Sequence, residues 1–205
     1  MSAQLEIGLE SRPLERVSAD LVGAAYFADD RPLRGGSGRL DWRLCGLISE
    51  RLASGEFTGA AGEVALIAAG GALRAPRVLL LGLGERAGFQ VADAATAMRG
   101  LAVRCLDLGL HNLLVAPPGI ASDDFPRHAG ALLEGALDAV RESEERLDLW
   151  LLVAPGEVDR AQQALEDAVR GSDSPELIAN APLPRSSRDP ARRAAPTPGG
   201  VSTSV

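Results

Sequence analysis

Apolar residues run unbroken from Val78 to Leu81 and stop on two glycines, Gly82 and Gly84. A run of that kind predicts a strand buried on both faces of a parallel sheet, leaving through a tight turn. A nearly all-apolar stretch at 21–27 and an alternating one at 5–9 predict two earlier strands; residues 63–68, 112–116 and 147–153 predict three more. Between them the period changes to that of a helix. Leu40, Leu44, Leu47, Ile48 and Leu52 share one face of a single helix over about 40–53, with Asp41 in the first turn, where the helix dipole favours an acid. Helices follow at about 91–107 and 158–170. Another is capped by Ser122, presents Phe125, Ala129, Leu132, Leu133, Leu137 and Val140 on one side, and has Asp123 and Asp124 at its positive end. The Gly-rich 34–38 segment and Gly70-Gly71 read as turns.

The strand–helix alternation from residue 77 to 170 predicts right-handed crossovers and a mainly parallel sheet between helices, a three-layer α/β/α domain. The quick succession of strands in the first half leaves room for antiparallel or mixed pairing. From Gly171 the texture changes: six of the thirteen prolines fall there, among Ser, Ala and Arg, with almost no apolar period. Residues 1–170 therefore read as the domain, and 171–205 as a disordered tail that cannot bury enough surface to offset its chain entropy. A linker to a partner is the alternative. Leu-Val-Ala-Pro ends the strand at 112–116 and recurs at the end of the 147–153 strand. The exits at 82–84, 117–119 and 155–156 are expected along one edge of the sheet, where α/β folds place ligand crevices. Gly82, Gly84, Pro117 and Gly119 are the candidate ligand-binding residues.

Composition narrows the chemistry. With 46% apolar and 24% charged residues the chain is of ordinary globular type. No stretch reaches the roughly 18 to 20 apolar residues of a membrane span, and the first ten residues lack a signal peptide's basic-then-apolar order. A cytoplasmic protein with no membrane partner is expected. The net charge of −7 and the absence of a basic run before the tail argue against nucleic acid. All 21 basic residues are Arg, and without a lysine no Schiff base, lysine general base or P-loop clamp is available. Cys45 and Cys105 lack CxxC spacing or a histidine cluster and read as reduced, partly buried residues.

The local motifs favour structural roles. Gly82, Gly84 and Gly88 form GxGxxxG, one residue longer than a dinucleotide fingerprint, and Asp107 ends a helix where the fingerprint wants an acid at the end of the next strand. Gly35-Gly36-Ser37-Gly38-Arg39 fails GxSxG because Arg39 takes the last glycine's place, so Ser37 reads as a turn residue. His111 and His128 have no partner at helical metal spacing, and the acid pairs 29–30, 123–124 and 144–145 point in different directions. No cofactor, metal or catalytic residue is expected. Trp42 lies off the leucine face; it packs under the 35–38 turn or contributes to an oligomer interface, core packing being the favoured reading.

Taken in order, Gly38-Arg39-Leu40-Asp41 opening a helix, Phe57-Thr58-Gly59 with Gly62-Glu63-Val64 entering a strand, and the 77–84 segment resemble the N-terminal domain of leucyl aminopeptidases, the M17 peptidase family. The resemblance covers most of residues 5–170. It implies a macro-domain-like fold, and a role in packing an oligomer and shaping access to an active site that lies elsewhere. The family's catalytic half holds two metal ions on Asp, Glu and Lys ligands, including an Asn-Thr-Asp-Ala-Glu-Gly-Arg segment that is absent from these 205 residues. No ligand or catalytic group can be carried over, and the chain is expected to be non-catalytic. The resemblance implies a standalone interaction, oligomerisation or regulatory module, which self-associates or docks on another protein such as a full-length aminopeptidase. The alternative is a macro-type domain that binds a nucleotide such as ADP-ribose at Gly82, Gly84, Pro117 and Gly119. DNA binding, implied for some members of the family, is disfavoured by the charge.

Overall fold

The computed structural model describes residues 3–178, and the part of the expected tail at 179–205 lies outside them. Six strands form one sheet: β1 (Gln4–Glu10), β2 (Leu21–Tyr26), β3 (Val64–Ala68), β4 (Arg77–Gly82), β5 (Asn112–Val115) and β6 (Arg146–Leu152). Their order is β1-β6-β5-β2-β4-β3. Every pair is parallel except β3 with β4, where Leu66 stands opposite Leu79 in an antiparallel ladder. The domain is thus the mixed, mainly parallel α/β sheet that the segment order predicts.

Helices cover the two faces unequally. On one face α3 (Val91–Asp107), α4 (Phe125–Ser143) and α5 (Val158–Arg170) pack over Ile7, Leu21, Leu79, Leu113 and Leu149, with Met98, Leu101, Leu132 and Leu165 fully buried between them. Gly135 lets α4 lie against α3, since a Cβ there would stand 2.1 Å from the Ala95 carbonyl oxygen. The other face carries the short helices α1 (Gly35–Arg43) and α2 (Leu47–Ala53), whose Leu40, Ile48 and Leu52 meet Val22, Tyr26, Val78, Leu80 and Leu114.

Three local expectations change. The helix expected over 40–53 begins at Gly35 and is broken in two, because Cys45 (φ 57°) and Gly46 (φ 84°) take left-handed conformations. Its apolar period continues across the break, which is why the sequence reads as one helix. Asp41 consequently serves α2, accepting the Ser49 amide at 2.9 Å and the Ser49 hydroxyl at 2.5 Å. Trp42 falls on the side away from Leu40 and is 71% exposed, so core packing does not hold for it. Ser122 opens a 3-10 turn, and the cap position of α4 belongs to Asp124, with Pro126 in the first turn.

The chain after α5 is not detached at once. The Glu176 carbonyl accepts the Leu5 amide at 2.8 Å, and the Ile178 amide donates to the Leu5 carbonyl at 2.9 Å, so Leu177 bridges in parallel to the outer side of β1. Arg141 on α4 holds this segment from the side through the Ser174 hydroxyl at 2.7 Å and the Glu176 carboxylate at 3.5 Å.

Candidate functional site

Because β1, β2, β4, β5 and β6 run parallel, their carboxyl ends reach one rim of the sheet. A cleft of about 360 Å³ opens there between the exits of β2 and β5. Ala25, Phe27 and Asp30 from the β2 exit, Arg34 to Ser37 at the start of α1, Arg86 from the loop after β4, and Ala116, Pro117, Gly119, Ile120 and Ala121 from the β5 exit form its walls.

The helix start is shaped by glycine. Gly36 packs against Ala116 so closely that a Cβ would lie 2.2 Å from the alanine Cβ, and the first intrahelical bond of α1 runs from the Gly38 amide to the Arg34 carbonyl. The amides of Gly35, Gly36 and Ser37 therefore have no partner within the helix. Their positive end faces the cleft beside Arg34, so the arrangement is suited to a negatively charged group. Ser37 is buried and its hydroxyl donates to the Arg34 carbonyl at 2.9 Å, which makes it a part of the helix start with no base beside it.

Across the cleft Arg86 is held three ways. Its amide donates to Asp29 at 3.0 Å, its guanidinium donates to the buried Asp30 at 2.7 Å, and its plane stands 4.1 Å from the centre of the Phe27 ring. Phe27 and Phe89 meet edge to face at 5.1 Å. Gly119 (φ 70°) sits over both rings, where a Cβ would come within 2.7 Å of Phe89. The floor is thus aromatic and the rim cationic, with the cation already paired to an acid.

Of the four candidate residues, Pro117 and Gly119 line the cleft and Gly82 and Gly84 do not. Gly82 is pressed against the 59–60 backbone, where a Cβ would stand 2.2 Å from the Ala60 carbonyl oxygen. Gly84 donates to the Gly59 carbonyl and accepts from the Ala28 amide, both at 2.8 Å. These two glycines dock the loop before β3 onto the end of β4. That loop is also clasped by Glu63, whose carboxylate accepts the Thr58 and Gly59 amides and the Tyr26 hydroxyl. Burial pushes the Glu63 carboxyl up, but the two amides and the hydroxyl outweigh it and hold it below the usual value. Tyr26, buried and hydrogen-bonded to that carboxylate, is raised well above its ordinary range.

Sequence reasoning did not find Phe27, Asp30, Arg34 or Arg86. The placement of β2 between β4 and β5, which brings its exit into the cleft, leaves no local trace. The Gly35-Gly36-Ser37-Gly38 run was the available signal, and it marks a helix start instead of a turn. The remaining titratable candidates lie apart from the cleft lining. His111 Nδ1 donates to the Arg146 carbonyl at the amino ends of the strands, and His128 Nδ1 donates to the Asp124 carbonyl on α4. Among the described residues no three His, Cys, Asp or Glu side chains are grouped to hold a metal. No helix among them is long and apolar enough to cross a membrane.

The fold is shared with two groups of proteins. A tomato leucine aminopeptidase variant superposes with a TM-score of 0.62 at 17% identity, over 82% of this chain and 36% of that one. An Oceanobacillus iheyensis macrodomain variant gives 0.65 at 13% identity over 82% of this chain and 94% of its own. A Trypanosoma brucei macrodomain in complex with ADP-ribose gives 0.62 at 16% identity, over 80% of this chain and 69% of that one. In sequence, a probable cytosol aminopeptidase of Trichormus variabilis (strain ATCC 29413 / PCC 7937) is 29% identical over 87 residues. That match takes in 42% of this chain and spans only 18% of the relative's length. Residues 21–143 match the family model of the cytosol aminopeptidase family's N-terminal domain. By that match, and with the fold to go with it, this chain belongs to the cytosol aminopeptidase family through its N-terminal domain.

Proposed function

We propose that this domain acts as a non-catalytic protein-interaction module, associating with itself or with another protein such as a full-length aminopeptidase, in the cytoplasm. The observation that carries the reading is the edge of the sheet at β3, which meets no further strand among the described residues and where Val64 is 36% and Leu66 49% exposed. Apolar side chains beside unpaired backbone groups invite another polypeptide. Trp42, 71% exposed beside a groove formed with Pro32, Leu33 and Cys45, adds a second surface of the same character. No peptidase step is assigned to the domain: among the described residues no three potential metal ligands are grouped, and the cleft's Ser37 hydroxyl is engaged by the Arg34 carbonyl. Light scattering across a concentration series, and titration against a full-length aminopeptidase from the same source, test the reading. A strict monomer that also fails to bind the enzyme would sink it.

A second reading rests on the cleft: a phosphate-bearing nucleotide such as ADP-ribose held by the 35–37 amides and Arg34, with an adenine or ribose against Phe27. The unpartnered helix start favours it, as does the likeness to macrodomains solved with that ligand. Saturable heat in calorimetry with ADP-ribose, lost in Gly36→Val, is the expected result. No heat at millimolar ligand removes the reading.

A further inference from the structure

The edge at β3 has a definite geometry. Its ladder to β4 uses the odd-numbered residues: the Glu63 carbonyl accepts from Gly82 at 2.8 Å, Ala69 donates to the Pro76 carbonyl at 2.9 Å, and Ala65 and Ile67 stand opposite Leu80 and Val78. By the alternation of an antiparallel ladder, the N–H and C=O groups of Val64, Leu66 and Ala68 point outward. No strand of the described residues meets them. Their side chains share the face of Leu79 and Leu81, in solvent. From 64 to 68 there is no proline, no charge and no bulge, so the usual devices that blunt an edge are missing.

We propose that two copies of this chain join along β3, antiparallel, about a two-fold axis at Leu66. The proposal rests on the interaction-module reading and names the partner as a second copy. In this register Leu66 faces Leu66 of the other copy and Val64 faces its Ala68, so each outward N–H meets a C=O and apolar side chains meet on one face. An uncharged strand sets no like charges against each other, which a self-complementary contact requires. The sheet's other edge decides between a dimer and a filament. There, on β1, Leu5 is already bonded to the chain's own residues 176 and 178, and the Ile7 and Leu9 side chains are buried, so the strand that presents apolar side chains to solvent is β3, whose two-fold contact closes on itself.

Crosslinking tests the register. In a Cys45→Ser background the remaining thiol is Cys105, fully buried and pushed up to about 12 by burial, with Asp20 adding to it. Leu66→Cys is expected to form a disulfide-linked dimer on mild oxidation, since facing Cα atoms lie about 5.5 Å apart in such a pair. Ala68→Cys, about 14 Å from its counterpart at a strand rise of roughly 3.4 Å per residue over four residues and one strand spacing across, is expected to stay uncrosslinked. Leu66→Glu sets two carboxylates face to face, and the mass measured by light scattering should halve with the circular dichroism unchanged. Equal crosslinking at 66 and 68 overturns the register. An oligomer untouched by Leu66→Glu, or a monomer that binds only a full-length aminopeptidase, overturns the proposal while leaving the interaction reading standing. A monomer that binds nothing ends both.

Discussion

The two edges of the sheet were treated in opposite ways. At β1 the outer side of Leu5 is bonded to the chain's own residues 176 and 178, and the buried carboxylates of Glu6 and Glu10 are matched by Arg146 and Arg12. At β3 no comparable cover exists among the described residues, no charge interrupts the strand, and leucine faces water. Both edge strands carry a leucine whose backbone groups point away from the sheet. Leu5 is fully buried and Leu66 half exposed. The difference teaches that burial at the sheet's edges follows the helical layer: α4 and α5 pack on β1 and enclose Leu5 with Ile7 and Leu9, whereas Leu66, on the same face as Leu79, is left in solvent.

The strongest way to break that comparison is to make one truncation at both edges. Leu5→Ala should lower unfolding free energy by about 2–5 kcal/mol, as for a filled core site, whereas Leu66→Ala in dilute monomer should stay within about 0.5 kcal/mol. Urea denaturation of the pair measures both, and equal losses would erase the contrast. Next in size is the clasp that holds the loop leading into β3. Glu63→Gln should cost about 1–3 kcal/mol, because the Thr58 and Gly59 amides lose a charged acceptor. The carboxyl is held below its unfolded value, so the unfolded chain binds more protons in that range. Its stabilisation is full above the unfolded value of 4.5 and is lost as pH falls through the lower folded value. The wild-type midpoint should therefore drop more steeply below about pH 5 than that of Glu63→Gln; parallel curves would deny the clasp its charge. The smallest effect is expected at the closed edge's side support. Arg141→Ala removes exposed contacts to Ser174 and Glu176 worth about 0–1 kcal/mol. Hydrogen exchange should quicken at the Leu5 and Ile178 amides while β3 is unaffected.

Much of the fold is written in local periods. All six strands and the long helices follow from runs such as 78–81 and from the helical spacing of Leu132, Leu133 and Leu137, because burial on one or both faces dictates those patterns. What depends on partners distant in sequence is not legible. Nothing near Leu21 announces that β2 separates β4 from β5, and nothing in a proline-bearing segment announces that Leu177 will lie along β1. The α1–α2 break illustrates the same limit at short range: Gly46 takes a left-handed conformation, yet Leu44, Leu47 and Ile48 keep the helical beat across it. The cleft was half visible. Pro117 and Gly119 were placed by the rule that ligands gather at strand exits, while Gly82 and Gly84, chosen by that rule, answer to a steric demand from residues 59–60. Arg86 and Phe27 gain their position only when three separate loops converge.

The register that sets Gln4 opposite Arg146 has a consequence for the order in which the protein can be assembled. Chain synthesis runs from the amino terminus, and a domain folds as a unit once its parts are at hand. The hairpin of β3 and β4 joins neighbours in sequence and can close early, since short loops are quick to form. The amino-terminal strand must wait, unpaired, until residue 152 has been made. The first strand synthesised is therefore among the last to be seated, and the opposite edge of the sheet, at β3, is among the first to exist.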